Sequence, residues 1–112
     1  MKPALPMTVV CLSAALASEA GAPAHREVLD NSRVWVEGVT FAPGDEEPEH
    51  THRVDVLAIA ISGGVVESTT PDGKVTRLGE KPGDVLFLPK GSTHRAKNNS
   101  GETVVLRVIV LK

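Results

Sequence analysis

Two histidines and an acid stand close together in the stretch PEHTHRVDV, residues 48–56. One residue separates His50 from His52, and Asp55 follows further along the same stretch. Imidazole nitrogens combined with a carboxylate suit iron or manganese. Because side chains alternate across a β-strand, a regular strand would place both histidines on one side and Asp55 on the other. Asp55 would join them only if a bulge followed His52.

A third histidine, His94, lies in the stretch PGDVLFLPKGSTHRAKN, residues 82–98. The sequence predicts a strand ending at Leu88, a tight turn at Pro89-Lys90-Gly91, and a further strand that begins near His94. A barrel that brings this strand beside the first stretch would converge three imidazoles on one point. Three neutral imidazoles suit Fe(II), Mn(II), Zn(II), Ni(II) or Cu(II), and they leave coordination positions open to water or substrate.

The chain that must position these side chains has the pattern of an all-β, antiparallel protein. Pairs of glycine and proline punctuate it, and short runs rich in Val, Ile and Leu lie between them. The predicted strands cover residues 33–41, 50–61, 65–70, 74–78, 84–88, 93–98 and 103–111. No segment after Ala20 carries an apolar helical stripe of useful length. This pattern predicts one antiparallel sandwich or closed barrel over residues 25–112.

Two of the runs indicate how the sheet is buried. The run 56–61, VLAIAI, is apolar on both faces and is predicted to be a central strand. In the last run, Val104, Leu106, Val108 and Val110 share one face and Arg107 lies on the other. Trp35 shares a face with Arg33 and Glu37, and this face either borders the barrel mouth or forms a dimer interface. His25 fits no motif and is predicted to lie on the surface.

The two histidine stretches resemble the paired motifs of the cupins, which are small β-barrels of the double-stranded β-helix (jelly-roll) type. The resemblance covers about residues 30–111. Gly44, His50, His52 and Gly63 (or Gly64) match the first motif. The second motif is matched at every position, by Gly83, Pro89, Gly91, His94 and Asn98. The resemblance implies a double-stranded β-helix and a homodimer formed through an exposed sheet edge. Gly44, Gly83 and Gly91 are predicted to serve turns, because turns with positive φ require glycine.

One ligand of the family pattern is missing. The resemblance implies a metal-binding glutamate at Val56 or Leu57, and neither side chain can coordinate a metal. The predicted metal ligands are therefore His50, His52 and His94, with Asp55 as a further candidate. Cupins with three histidine ligands include thiol dioxygenases and diketone-cleaving dioxygenases, which use Fe(II) and molecular oxygen. The thiol dioxygenases depend on a pocket tyrosine, and this chain has no tyrosine.

Three classes of function remain open. The first is a metal-dependent, dioxygenase-like enzyme acting on a small polar substrate. The second is a non-redox metal enzyme, an isomerase or hydrolase, in which Zn(II) or Mn(II) polarises a carbonyl or activates water. The third is a barrel that binds a small ligand or a metal without turnover. No general base facing the barrel interior can be identified from the sequence, and the catalytic residues stay unassigned.

Composition narrows the range of partners. The net charge of −2 and the absence of a Lys/Arg run give no basis for nucleic-acid binding. Aromatic residues make up only 3% of the chain, which excludes stacking platforms for bases. The single cysteine, Cys11, cannot form an internal disulfide. A small-molecule ligand is the expected partner.

The first 22 residues differ from the rest. Lys2 precedes an apolar run from Ala4 to Ala17, and Ala15-Leu16-Ala17 fits the small-x-small pattern of signal peptidase sites. The run is too short to span a bilayer as a stable helix. The segment is predicted to be a cleaved signal peptide of an exported protein. The alternative is a disordered or apolar helical extension of a cytoplasmic one.

Overall fold

The computed structural model describes residues 21–112, which fold entirely into strands and turns. Most of the predicted signal segment, including Cys11, lies outside the described residues, so export stays a prediction. No helix in the described part of the chain is long and apolar enough to cross a membrane. The nine strands are β1 (Ala24–Asp30), β2 (Val34–Phe41), β3 (Glu46–Thr51), β4 (Val56–Ser62), β5 (Val66–Thr69), β6 (Val75–Leu78), β7 (Val85–Leu88), β8 (Thr93–Asn98) and β9 (Val104–Leu111).

The strands form two antiparallel sheets that share one core. The five-stranded sheet has the order β1-β2-β9-β4-β7, and the four-stranded sheet has the order β3-β8-β5-β6. Strands that are neighbours in sequence often belong to different sheets, as in a jelly roll. Buried side chains from both sheets meet between them, among them Phe41 from β2, Val66 from β5, Ala96 from β8 and Val104 from β9. The predicted all-β, double-stranded β-helix is confirmed.

The predicted alternation of β9 is also found. Val104 and Leu106 are buried in the core, and Val108 packs against it. Arg107 points the other way, and one of its guanidinium nitrogens lies near the space that a side chain at Gly38 would occupy on the neighbouring strand. β4 lies between β9 and β7, as predicted for a central strand, and Ala58 and Ala60 face the core.

The predicted strand 50–61 is two strands rather than one. β3 ends at Thr51 in the four-stranded sheet, and β4 begins at Val56 in the other sheet. Between them the chain crosses from one sheet to the other. Backbone hydrogen bonds hold the crossing at both ends, from His52 N to Ser92 O and from Leu111 N to Asp55 O. Val54 and Val56 continue the alternation of the strand through the crossing, so the sequence alone gives no sign of the break.

β3 begins earlier than predicted and contains a bulge. Glu46 and Glu47 precede the predicted strand at residues 50–61, and they pair with Lys97 and Ala96 of β8. The register then shifts before His50, around Pro48 and Glu49. Proline cannot donate a backbone hydrogen bond, so a bulge is one of the few places in a sheet that accepts it. The extra residue changes which side chains share the inner face.

Candidate metal site

The three histidines are brought together by β3 and β8. His50 on β3 lies directly opposite His94 on β8, and His52 follows immediately after β3 ends. The three ring centroids lie 4.8 Å (His50–His52), 4.7 Å (His50–His94) and 5.0 Å (His52–His94) apart. One nitrogen from each ring lies within 4.8 Å of the others. The expected convergence of the three imidazoles is therefore found.

The turn before β8 fixes the position of His94 relative to His52. Gly91 adopts a φ of +89°, a left-handed conformation that side chains disfavour. Its N–H donates to the carbonyl of His52 over 2.8 Å, and the N–H of His52 donates to the carbonyl of Ser92 over 2.9 Å. These two hydrogen bonds continue the pairing of the two segments beyond the end of β3. The motif glycine thus has a structural role, as expected.

Hydrogen bonds orient two of the rings. The Nδ1 of His50 lies 2.8 Å from the carbonyl oxygen of Pro48. Since a carbonyl can only accept, this Nδ1 carries a proton, and in the neutral ring Nε2 then keeps its lone pair. The Nδ1 of His94 lies 2.7 Å from the hydroxyl oxygen of Ser68. Such outer partners commonly set the tautomer and orientation of metal-binding histidines.

The Nε2 atoms of His52 and His94 point at each other. Their Nε2 atoms lie 3.0 Å apart, so one donates a proton to the other. A metal bound at this point would replace that proton, as metal binding to imidazole generally requires. The donor set of three nitrogens, two of them oriented through Nδ1, fits a divalent transition metal.

The surroundings favour the neutral form of the rings. Burial lowers the pKa of His94 to about 4, with smaller contributions from the positive charges that His50 and His52 can carry. Burial also lowers the pKa of His52, again with a contribution from His50. Both rings are therefore uncharged near pH 7, which is the state in which imidazole binds a metal.

Asp55 lies away from the three rings. The group of potential ligand atoms found in the described residues contains His50, His52 and His94 and does not include Asp55. Its side chain is exposed, and its Oδ1 accepts a hydrogen bond from Lys90 N over 2.8 Å. The bulge that would have turned it toward the histidines is absent after His52. The bulge lies on the other side of the pair, before His50.

The structure distinguishes the two positions, 56 and 57, at which the family pattern has a glutamate. Val56 is 3% exposed and faces the interior, whereas Leu57 lies on the other face of β4, opposite Phe87. A glutamate at position 56 would thus reach the interior, and one at position 57 would not. Valine at position 56 leaves this part of the wall without a coordinating atom.

The histidines border a cavity of about 250 Å³ between the two sheets. Most of its wall is apolar, with side chains from both sheets. The apolar wall residues are Val39, Phe41, Val56, Ala58, Val66, Leu78, Leu86, Leu88, Ala96, Leu106, Val108 and Val110. Ligand sites typically combine such a wall with a few polar groups. No lysine or arginine is among the described residues that line the cavity.

Besides Ser68, three further polar side chains line the same cavity: His25, Glu37 and Glu47. The Nδ1 of His25 lies 2.6 Å from Oε1 of Glu37, and its Nε2 lies 3.5 Å from Oε2 of Glu47. We call these three residues the carboxylate cluster. His25 was predicted to lie on the surface, and its side chain is indeed 43% exposed, but it also forms part of the cavity wall.

Sequence reasoning missed the carboxylate cluster for identifiable reasons. Counting alternate residues places Glu47 on the face opposite His50, and only the bulge in β3 puts both on the cavity wall. His25 lies on an edge strand with no motif around it. Glu37 was the one detectable signal, since it is a charged residue on the face of β2 that pairs with the apolar side of β9.

Asn98 at the end of the second motif serves the fold. It is fully buried, and its side-chain amide donates to the carbonyl oxygens of Phe41 and Glu102. Its Oδ1 accepts from the backbone N–H and the hydroxyl of Ser100. These bonds join the end of β8 to β2 and to the turn before β9.

Comparison with known proteins agrees with this architecture. The family model described as a cupin domain matches residues 38–111. A cupin domain from Bordetella pertussis is 27% identical with a TM-score of 0.72, covering 86% of this chain and 99% of that one. A protein with a double-stranded β-helix domain from Klebsiella pneumoniae is 28% identical with a TM-score of 0.73, covering 86% and 82%.

The polyketide cyclase RemF from Streptomyces resistomycificus shares the fold at 24% identity, with a TM-score of 0.71 over 81% of this chain and 67% of that one. No curated protein matches the chain significantly. The family match takes in both motif stretches and the strands that bring their histidines together. This chain therefore belongs to the cupin family.

Proposed function

We propose that this cupin binds one divalent metal through His50, His52 and His94 and takes a small ligand into the adjoining cavity. The observation that carries the proposal is the convergence of one nitrogen from each ring at the cavity wall. Three protein ligands leave coordination positions free for a ligand or water. The lowered pKa values of His52 and His94 support binding near neutral pH.

The favoured activity is a metal-dependent, dioxygenase-like reaction. Such a metal would supply oxygen chemistry as iron, or Lewis acidity as zinc, manganese or nickel. The chain's own contribution is to bind and orient a substrate against the apolar wall and to exclude water from it. That wall fits a substrate with an apolar body and a polar end better than one that is polar throughout.

A metal-dependent isomerase or hydrolase is the second candidate, and the carboxylate cluster favours it. Such reactions require a group that accepts a proton from the substrate. Glu37, Glu47 and His25 are proton-accepting groups on the wall of the same cavity. A barrel that binds a ligand without turnover would use the same residues for recognition alone.

The deciding experiment is the metal content per chain, measured by plasma mass spectrometry on protein purified without a histidine tag. We expect about one metal per chain, and its loss in His50→Ala and His94→Ala. His25→Ala is the matched control, because it removes an imidazole from the same cavity but not from the group of converging nitrogens. Metal retained in both site variants would overturn the proposal.

The identity of the metal then separates the two activities. Iron directs the next assay to oxygen uptake with diketones and phenolic acids. Zinc or manganese directs it to hydrolysis and isomerisation without oxygen. Protein that takes up no metal after anaerobic reconstitution would leave only the ligand-binding function.

A further inference from the structure

The carboxylate cluster occupies the same cavity as the three histidines but is formed by different strands. His25 comes from β1, Glu37 from β2 and Glu47 from β3. β1 and β2 belong to the five-stranded sheet and β3 to the other, so the cluster spans the two sheets at the cavity wall. On the neighbouring strands, Glu37 lies opposite Val108 of β9 and Glu27 of β1, and His25 lies opposite Val39. A second carboxylate beside Glu37 adds to the negative charge at this end of the sheet.

The described residues do not balance the charge of the carboxylate cluster. Two carboxylates face one imidazole, and no lysine or arginine is among the described residues of the cavity wall. Glu37 is 9% exposed, so its carboxylate has lost most of its contact with water. A buried carboxylate is costly unless a cation or several hydrogen-bond donors compensate it.

Among the described residues, one carboxylate oxygen of Glu37 has no hydrogen-bond donor. Oε1 is occupied by His25, but within residues 21–112 no hydrogen bond reaches Oε2. Buried polar atoms in folded proteins nearly always have a partner, and the exceptions commonly mark a site for water, an ion or a ligand. The cavity beside Glu37 provides the space from which such a partner would come.

We propose that the carboxylate cluster binds the protonated amine of a small ligand whose apolar body lies in the cavity. A primary ammonium group carries positive charge and three N–H donors, so it can satisfy Glu37 and Glu47 together. The cavity of about 250 Å³ exceeds the roughly 150 Å³ that accommodates benzene in an engineered protein. The ligand class is therefore a primary amine carrying a single ring or an aliphatic body of similar size.

This inference deepens the proposed function and rests on it for the cavity being a ligand site. A ligand that reaches both ends would carry its amine at the carboxylate cluster and an oxygen donor at the histidines. The cluster's preference for an amine does not depend on a metal. It is therefore testable in protein treated with a chelator as well as in metal-loaded protein.

The test uses three probes of nearly equal size: benzylamine, benzyl alcohol and toluene. Their dissociation constants are measured by NMR titration on the full chain, before and after chelation. Benzylamine is expected to bind at least about tenfold more tightly than either neutral probe, since hydrogen bonds to charged groups are the stronger ones. Equal binding of the amine and the alcohol would overturn the assignment of an ammonium group.

Glu37→Gln is expected to abolish the advantage of benzylamine while leaving toluene binding unchanged. Glu67→Gln is the matched control, because Glu67 also accepts side-chain hydrogen bonds on a strand but does not line this cavity. If Glu37→Gln fails to fold, the more exposed Glu47→Gln should reduce the advantage several-fold. A preference for benzylamine that survives in every folded cluster variant would overturn the proposal.

The outcomes also separate this inference from the proposed function. Loss of metal binding in a histidine variant, with the amine preference intact, would support both. Wild-type protein that takes up no metal but prefers benzylamine would keep the amine subsite and remove the metal function. Protein that takes up metal but shows no preference for benzylamine would keep the metal function and remove the amine subsite.

Discussion

His50 and His94 lie directly opposite each other on neighbouring strands, with ring centroids 4.7 Å apart. Each comes from a different sequence motif, and each Nδ1 is held by a partner of its own, Pro48 O for His50 and Ser68 Oγ for His94. The cross-strand pair therefore presents two Nε2 atoms whose directions are fixed by the surrounding protein. His52, just past the end of β3, completes the group.

Ser68→Ala should weaken metal binding without removing any nitrogen ligand. The hydroxyl of Ser68 is the partner of His94 Nδ1, and loss of such an outer partner typically costs ten- to a hundredfold in metal affinity. The buried Nδ1 is also left unpaired, which should lower the free energy of unfolding by about 1–3 kcal/mol. Metal competition titrations and urea denaturation measure the two effects.

Ser62→Ala is the control for that variant, since Ser62 lies exposed at the end of β4. Ser62→Ala should change neither the metal affinity nor the free energy of unfolding. Unaltered metal affinity in Ser68→Ala would show that the serine does not orient His94.

Val56→Glu should add a fourth metal ligand. Position 56 faces the interior, and a carboxylate there would complete the donor set implied by the first motif. Metal affinity should rise at least about tenfold, because a charged oxygen donor is added to three neutral nitrogens. In chelator-treated protein the same carboxylate is buried without a partner, so unfolding should become easier by about 2 kcal/mol.

Leu57→Glu provides the comparison, because its side chain points to the other face of β4. It should leave metal affinity unchanged. An equal gain in both variants would mean that added negative charge, rather than coordination, is responsible.

Stability of the chelator-treated protein should fall as the solution is acidified from pH 6.5 toward pH 4. The pKa of His94 is about 4 in the folded chain against an ordinary value of 6.5, so the unfolded chain takes up a proton first. Where the unfolded state binds more protons, the free energy of unfolding decreases as pH falls. The loss should be about 2 kcal/mol, allowing for partial solvent screening, and should level off below pH 4.

His52 contributes in the same direction, since its pKa is also lowered by burial. Urea denaturation at several pH values measures the slope, and His94→Gln should flatten it. If the slope of the free energy of unfolding against pH is unchanged in His94→Gln, the group that takes up the proton is not His94.

The homodimer implied by the family resemblance stays a prediction, and β7 is the strand best suited to it. β7 is an edge strand, and its outer side chains Val85 and Phe87 are 57% and 51% exposed. They lie beside Ile59 and Leu57 of β4, which extends the apolar surface across two strands. Exposed apolar edges commonly pair with a second copy.

Val85→Glu should therefore shift the protein to monomer in sedimentation velocity measurements. Val75→Glu is the matched control, because it is the same substitution at a similarly exposed valine on the edge strand of the other sheet. A wild-type protein that is monomeric at working concentration would contradict the prediction.

Several features of the fold and site followed from local pattern. The spacing of glycines, prolines and apolar runs predicted most strand positions to within a residue or two, because turns and alternation are local properties. The two motifs identified His50, His52 and His94, and the convergence of their rings is found. Alternation also predicted correctly which side chains of β9 face the core, since this strand is continuous from Val104 to Leu111.

Alternation failed where a strand was interrupted. The bulge before His50 moved Glu47 onto the cavity wall, and after Thr51 the chain crosses to the other sheet where one continuous strand was predicted. A single inserted residue exchanges the two faces of everything beyond it. Pro48 is compatible with a bulge but equally with an edge strand or a strand start, so the sequence does not fix where the extra residue lies.

The amino-acid sequence by itself determined the class of fold, the family and the three histidines, because these depend on residue type and spacing along the chain. Only the tertiary structure decided that His25, Glu37 and Glu47 share one cavity with them. Three strands from two sheets supply those side chains, and their meeting depends on non-local pairing and register. Such contacts arise between segments far apart in the chain, where local pattern carries no information about them.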